Sequence, residues 1–122
     1  MNLPTSQGEL LLLSNARCSK SRATTELLSR RGARVGERHY LEQPLDLAEL
    51  RELGRRLGQP PGDWIRSKEG AYAELGLGPS SSDEELLRAI ARRPELLERP
   101  ILVSAERARI GRPPEQVLEL LD

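Results

Sequence analysis

Glu9-Leu10-Leu11-Leu12-Leu13-Ser14-Asn15-Ala16-Arg17-Cys18-Ser19-Lys20-Ser21-Arg22 is the stretch from which the rest of the 122-residue chain is read. Glu9 to Ser14 carries a short continuous apolar run, the pattern of a strand buried on both faces and therefore of a parallel or mixed sheet. After Cys18 the period changes. Ala23, Leu27 and Leu28 recur at helical spacing as far as Arg30-Arg31, where basic residues in the last turn and Gly32 mark the stop. Cys18 therefore stands at a helix start, where unpaired backbone N–H groups and the helix dipole favour a thiolate. Arg17, Lys20 and Arg22 add positive charge, and Ser19 and Ser21 add hydroxyl donors. A lone cysteine is more often a small buried hydrophobe, but this polar, basic setting is a poor place for inert packing. Cys18-Ser19-Lys20-Ser21 has the spacing of a redox C-x-x-C motif with serine in the second position. No neighbouring thiol can resolve an adduct there, so a catalytic cycle needs an external thiol.

Working outward, Arg34 to Tyr40 reads as a second strand that closes a βαβ unit, and Leu41-Glu42-Gln43-Pro44 turns the chain out of it. Asp46 caps a helix with Leu47, Leu50, Leu53 and Leu57 on one face, stopped by Gly58 and Pro60-Pro61. Shorter helical stretches are expected around Asp63 to Ser67 and Tyr72 to Leu75. Ser82-Asp83-Glu84-Glu85 is a capping box ahead of Leu86, Leu87 and Ile90. Ile101 to Ser104 and Arg107 to Ile110, separated by Ala105-Glu106, suit a tight antiparallel hairpin. Pro113-Pro114 opens a last helix carrying Val117, Leu118 and Leu121. The order β-α-β, helices, β-β-α predicts an α/β fold: a thioredoxin-like mixed four-stranded sheet with a helical insertion. Residues 1–8 read as a loose lead-in and 9–122 as one domain.

Nineteen basic and nineteen acidic residues cancel, so nothing chain-wide attracts nucleic acid or anionic lipid, and any anion site must be local. With no Phe, the core must be aliphatic and chiefly Leu. The N-terminus lacks a basic n-region, and Leu10-Leu11-Leu12-Leu13 is too short for a signal or a span, which predicts a cytoplasmic protein. A single cysteine fits a reducing compartment. No cluster has metal-ligand spacing, and no glycine-rich nucleotide loop occurs. His39, the one histidine, falls in the exit of the second strand and reads as structural or surface.

Asn15-Ala16-Arg17-Cys18-Ser19-Lys20-Ser21-Arg22 is similar to the N-P-x-C-x-x-S-R signature of the glutaredoxin-linked arsenate reductases. Tyr40-Leu41-Glu42-Gln43-Pro44 resembles their turn after the second strand. Glu98-Arg99-Pro100-Ile101 and Arg109-Ile110-Gly111-Arg112-Pro113 resemble their C-terminal pair of motifs, and the ending is closest to a shorter bacterial branch. The resemblance implies a catalytic Cys18 whose thiolate attacks arsenate, supported by Asn15, Ser21 and Arg22, with Arg66, Arg99 and Arg112 holding the oxyanion. It implies no bound cofactor, glutathione as co-substrate and glutaredoxin as partner. A planar, always-charged guanidinium suits the paired oxygens of such an anion. The fold further implies a cis Arg99-Pro100 bond near Cys18. The chain departs from the pattern at Ala16, where the family has Pro, and at Ser14, where many members have His. Two alternatives stay open: a glutathione-dependent thiol reductase with another substrate, and a non-catalytic Spx-like transcriptional regulator. Against the second, Ser21 replaces the cysteine that a disulfide switch requires.

Overall fold

The computed structural model describes residues 2–121; Met1 and Asp122 lie outside the described residues. Four strands, β1 (Leu11–Ser14), β2 (Gly36–His39), β3 (Ile101–Val103) and β4 (Ala108–Ile110), form one mixed sheet in the order β2-β1-β3-β4. β1 runs parallel to β2, with Leu11 opposite Gly36 and Ser14 opposite His39, and antiparallel to β3. β3 and β4 form the antiparallel hairpin, closed by Ser104 and Arg107 around Ala105-Glu106. The most apolar strands take the centre because both of their faces are covered, while the polar Gly36-Glu37-Arg38-His39 takes an edge.

The chain divides into two compact units. One runs through Gln43 and resumes at Arg99; the other is Pro44–Glu98, which corresponds to the expected helical insertion. In the first unit, α1 (Ser19–Arg30) links β1 to β2 and packs with the C-terminal segment Pro114–Leu121. Leu12, Leu28, Leu102, Val117 and Leu120 form its core cluster, with Leu12 and Leu102 directly paired across the sheet. Two points of the expected lead-in are anchored. Leu3 and Pro4 are buried, and a turn closes from Ser6 to Glu9.

The second unit contains α2 (Leu47–Leu57), α3 (Gly70–Glu74) and α4 (Asp83–Arg92). Asp46 and Ser82 each cap through a reciprocal capping box, with Glu49 and Glu85. Gly58 ends α2 at φ 70°, a left-handed conformation that favours glycine. The helical expectation for 63–67 is corrected. Only Pro61–Asp63 winds, as a 3-10 turn, and Ile65 bridges Leu97 antiparallel. Arg66 N–H donates to the Leu96 carbonyl at 2.8 Å and Glu98 N–H to the Trp64 carbonyl at 3.0 Å. Bonds to residues 96–98 satisfy the backbone that a local helix would have used.

The last helix is also corrected in kind: Pro114–Leu121 is 3-10 throughout. Pro113 and Pro114 supply no N–H, and the first bond runs from Gln116 to Pro113, an i to i+3 step. Three residues per turn bury Val117 and Leu120, whereas Leu118 and Leu121 stay only partly covered. Arg99-Pro100 is cis as expected, and Arg112-Pro113 is cis as well.

Asp46→Ala removes an acceptor from α2 and should lower unfolding stability by about 1 kcal/mol. Urea denaturation at unchanged m-value is the measurement; an unshifted midpoint would mean that the capping box does not hold the helix.

Candidate functional site at the start of the first helix

Ser14, the last residue of β1, is buried, and its hydroxyl donates to Glu37 Oε2 on β2 at 3.0 Å. The chain then turns tightly. Asn15 Oδ1 accepts from Arg17 N–H at 3.0 Å, and the Asn15 carbonyl accepts from Cys18 N–H at 2.9 Å. Arg22, on the first turn of α1, donates to the Ala16 carbonyl at 3.2 Å, so its guanidinium braces the loop. Two of the residues expected to support the thiolate, Asn15 and Arg22, thus converge on the four residues 15–18.

Ser21 has two tasks. Its buried Oγ accepts from Asn15 N–H at 3.1 Å, which leaves its own proton for the sulfur. Partial burial pushes the Cys18 thiol up. The backbone N–H groups of Ser21 and Lys20, the Arg99 guanidinium and the Ser21 hydroxyl outweigh it, and the thiol lies below its ordinary value. α1 is also the exception among the longer helices: no side-chain hydrogen bond caps it and its first turn has no acid, whereas α2 and α4 have both. Its end is left open to an anion.

Arg99 stands two residues before β3, with Nε and Nη1 buried. Arg112 follows β4, and its Nε donates to the Arg99 carbonyl at 2.8 Å, which joins the two C-terminal motifs. The first unit therefore brings Cys18, Asn15, Ser21, Arg22 and Arg99 together, and Arg112 is tied to them through the Arg99 carbonyl. Arg66 belongs to the second unit, where its guanidinium lies 3.5 Å from Glu69 Oε1. His39 is exposed, 3.7 Å from Glu37, in keeping with a surface role. Sequence reasoning missed Glu37, whose only signal is its place in the β1–β2 register. A cavity of about 430 Å³ opens beside the loop, and Ser14 and Ala16, the two departures from the resemblance, both line it.

Residues 13–120 match the ArsC family. The chain belongs to that family. The Escherichia coli protein YfgD, named as uncharacterized, is 50% identical over 109 residues, spanning 88% of this chain and 92% of its own. An arsenate reductase of Neisseria meningitidis serogroup B is 43% identical over 115 residues, 93% of this chain and 98% of its own. The structure of an arsenate reductase from Vibrio cholerae superposes with a TM-score of 0.88 at 41% identity, over 94% of this chain and 99% of that one. The thioredoxin-like sheet expected from the element order is the fold of this ArsC-family chain. No helix among the described residues is long and apolar enough to cross a membrane.

Because the thiolate is the nucleophile, alkylation of Cys18 by iodoacetamide should reach its plateau at lower pH than an ordinary thiol of pKa about 8.5. Ser21→Ala and Arg99→Gln should each move the midpoint upward. A wild-type midpoint at or above the ordinary value would show that burial wins.

Proposed function

We propose that the protein is a cytoplasmic arsenate reductase that uses glutathione and glutaredoxin. The observation that carries this reading is a cysteine thiol held below its ordinary value beside Arg99, in a chain of the ArsC family with relatives named arsenate reductase. The Cys18 thiolate attacks the arsenic of arsenate, and an arsenate oxygen leaves as water. Arg99 and Arg112 hold the remaining oxygens, and Asn15, Ser21 and Arg22 keep the loop and its sulfur in place. Arg66 is the third arginine that the resemblance assigns to the oxyanion. A glutathione thiol then completes the transfer. Arsenic gains two electrons and leaves as arsenite, while Cys18 and glutathione become a mixed disulfide. Cys18 is the sole cysteine, so that disulfide cannot be resolved within the chain and falls to glutaredoxin.

Two features support the electrostatic part. The open end of α1 and Arg112, bonded to the Arg99 carbonyl, are in place before substrate arrives, so they need little reorganisation when charge shifts on the oxyanion. A guanidinium fork also matches two oxygens at once, which an ammonium cannot do.

In an assay coupled through glutathione, glutathione reductase and glutaredoxin, NADPH should be consumed only when arsenate is added. Cys18→Ser should abolish the rate, since a serine hydroxyl without a base stays protonated. Arg99→Lys should cost on the order of 10²-fold in kcat/KM, the scale of one lost oxyanion donor. Arg112→Lys and Arg66→Lys measure the other two positions in the same way. A low-pKa Cys18 with no arsenate-dependent rate would transfer the reading to another substrate of the same thiol chemistry. A fully active Cys18→Ser would end it.

A further inference from the structure

Gly111 joins the end of β4 to Arg112, and its N–H donates to the Pro100 carbonyl at 2.8 Å. Its φ is not among the positive values found at Gly8, Gly32, Gly58 and Gly76, so the backbone does not demand glycine. Space does. A Cβ at Gly111 would lie 2.9 Å from Pro100 Cγ, 3.0 Å from Thr24 Oγ1 and 3.4 Å from Val117 Cγ1. None of these walls yields easily. Pro100 is a buried ring, Val117 is a fully buried member of the core, and Thr24 is buried with Oγ1 tied to the Lys20 carbonyl at 2.9 Å. The three walls belong to α1, which starts beside Cys18, to the segment that carries Arg99, and to the C-terminal 3-10 helix.

We infer that Gly111 is a positioning residue of the thiol site: its bare Cα lets the helix that starts beside Cys18 and the segment that carries Arg99 close onto one another. Any side chain would act as a wedge between them. The displacement would reach both charged partners of the site, because Arg112 is the next residue and is bonded to the Arg99 carbonyl. The inference rests on the proposal that Arg99 serves the Cys18 thiol.

The test compares Gly111→Ala with Gly54→Ala in the full chain. Gly54 is the matched control: a Cβ there would meet Trp64 Cζ2 at 3.2 Å, within the second unit. Gly111→Ala should raise the pH midpoint of Cys18 alkylation and lower kcat/KM for arsenate at least tenfold. Gly54→Ala should lower the melting temperature while leaving the midpoint unchanged and kcat/KM within twofold. If Gly111→Ala does not fold, Thr24→Ala/Gly111→Ala removes one wall and keeps the collision with Pro100. Read against Thr24→Ala alone, that double variant should still show a raised midpoint. A folded Gly111 variant with the reference midpoint and rate overturns the inference, and so does an equal midpoint shift in Gly54→Ala. A wild-type midpoint at the ordinary thiol value would instead overturn the proposal beneath it.

Discussion

A sulfur anion shielded from water survives only where protein groups replace the hydration it loses, and this requirement organises the first unit. Hydrophobic burial supplies the frame: Leu11, Leu12 and Leu13 anchor β1 between two neighbours, so the loop that leaves it starts from a fixed point. Asn15 and Arg22 close that loop from both ends, and Ser21 links it to the sulfur. Arg99 reaches the same place from the far end of the chain because β3 lies beside β1. Asn15, Ser21 and Arg22 are each held within the loop itself, and so are in place before any charge appears.

The cost of this arrangement falls on α1. Where α2 and α4 use a side-chain cap and an acid in the first turn, α1 begins with a cysteine and carries Lys20 and Arg22. Cations at a helix start oppose the dipole by some 0.3–1 kcal/mol each near a surface. Such a local rule is usually broken where a site needs the charge. Within one chain, the two capped helices display what folding alone selects, and α1 departs from it beside the cysteine.

Wherever hydrophobic period and capping residues agreed, the sequence was legible: β1, α1, α2, α4 and the hairpin all lie close to where their patterns put them. Misreadings occurred where distant partners decided the outcome. Trp64-Ile65-Arg66 looked helical, but Leu96 and Leu97 supply its backbone partners. Val117-Leu118-Leu121 was read at 3.6 residues per turn, while the two prolines before it led into a winding of three. Leu3 and Pro4 were too few to form a pattern, yet they are buried. At the site, Cys18 announced itself through its local setting. Arg99 and Arg112 were visible only through motif resemblance, since nothing local separates them from the chain's other arginines. Gly111 was visible only as part of its motif, since period and capping say nothing of an atom that is missing.

The sheet has two rims, and the strand on one of them is nearly all polar. In β2, Glu37 and His39 are exposed while Arg38 is buried, its Nε bonded to the Gln43 carbonyl at 2.8 Å. On the other rim, Arg109 of β4 is clasped by Glu119 at 2.7 Å. A foreign strand laid along either border would have to strip water from ionised groups and dislodge these clasps before gaining any ladder bonds. The charged residues of β2 and β4 thereby guard the molecule against edge-to-edge accretion, a hazard to which an uncharged border would leave a Leu-rich sheet exposed.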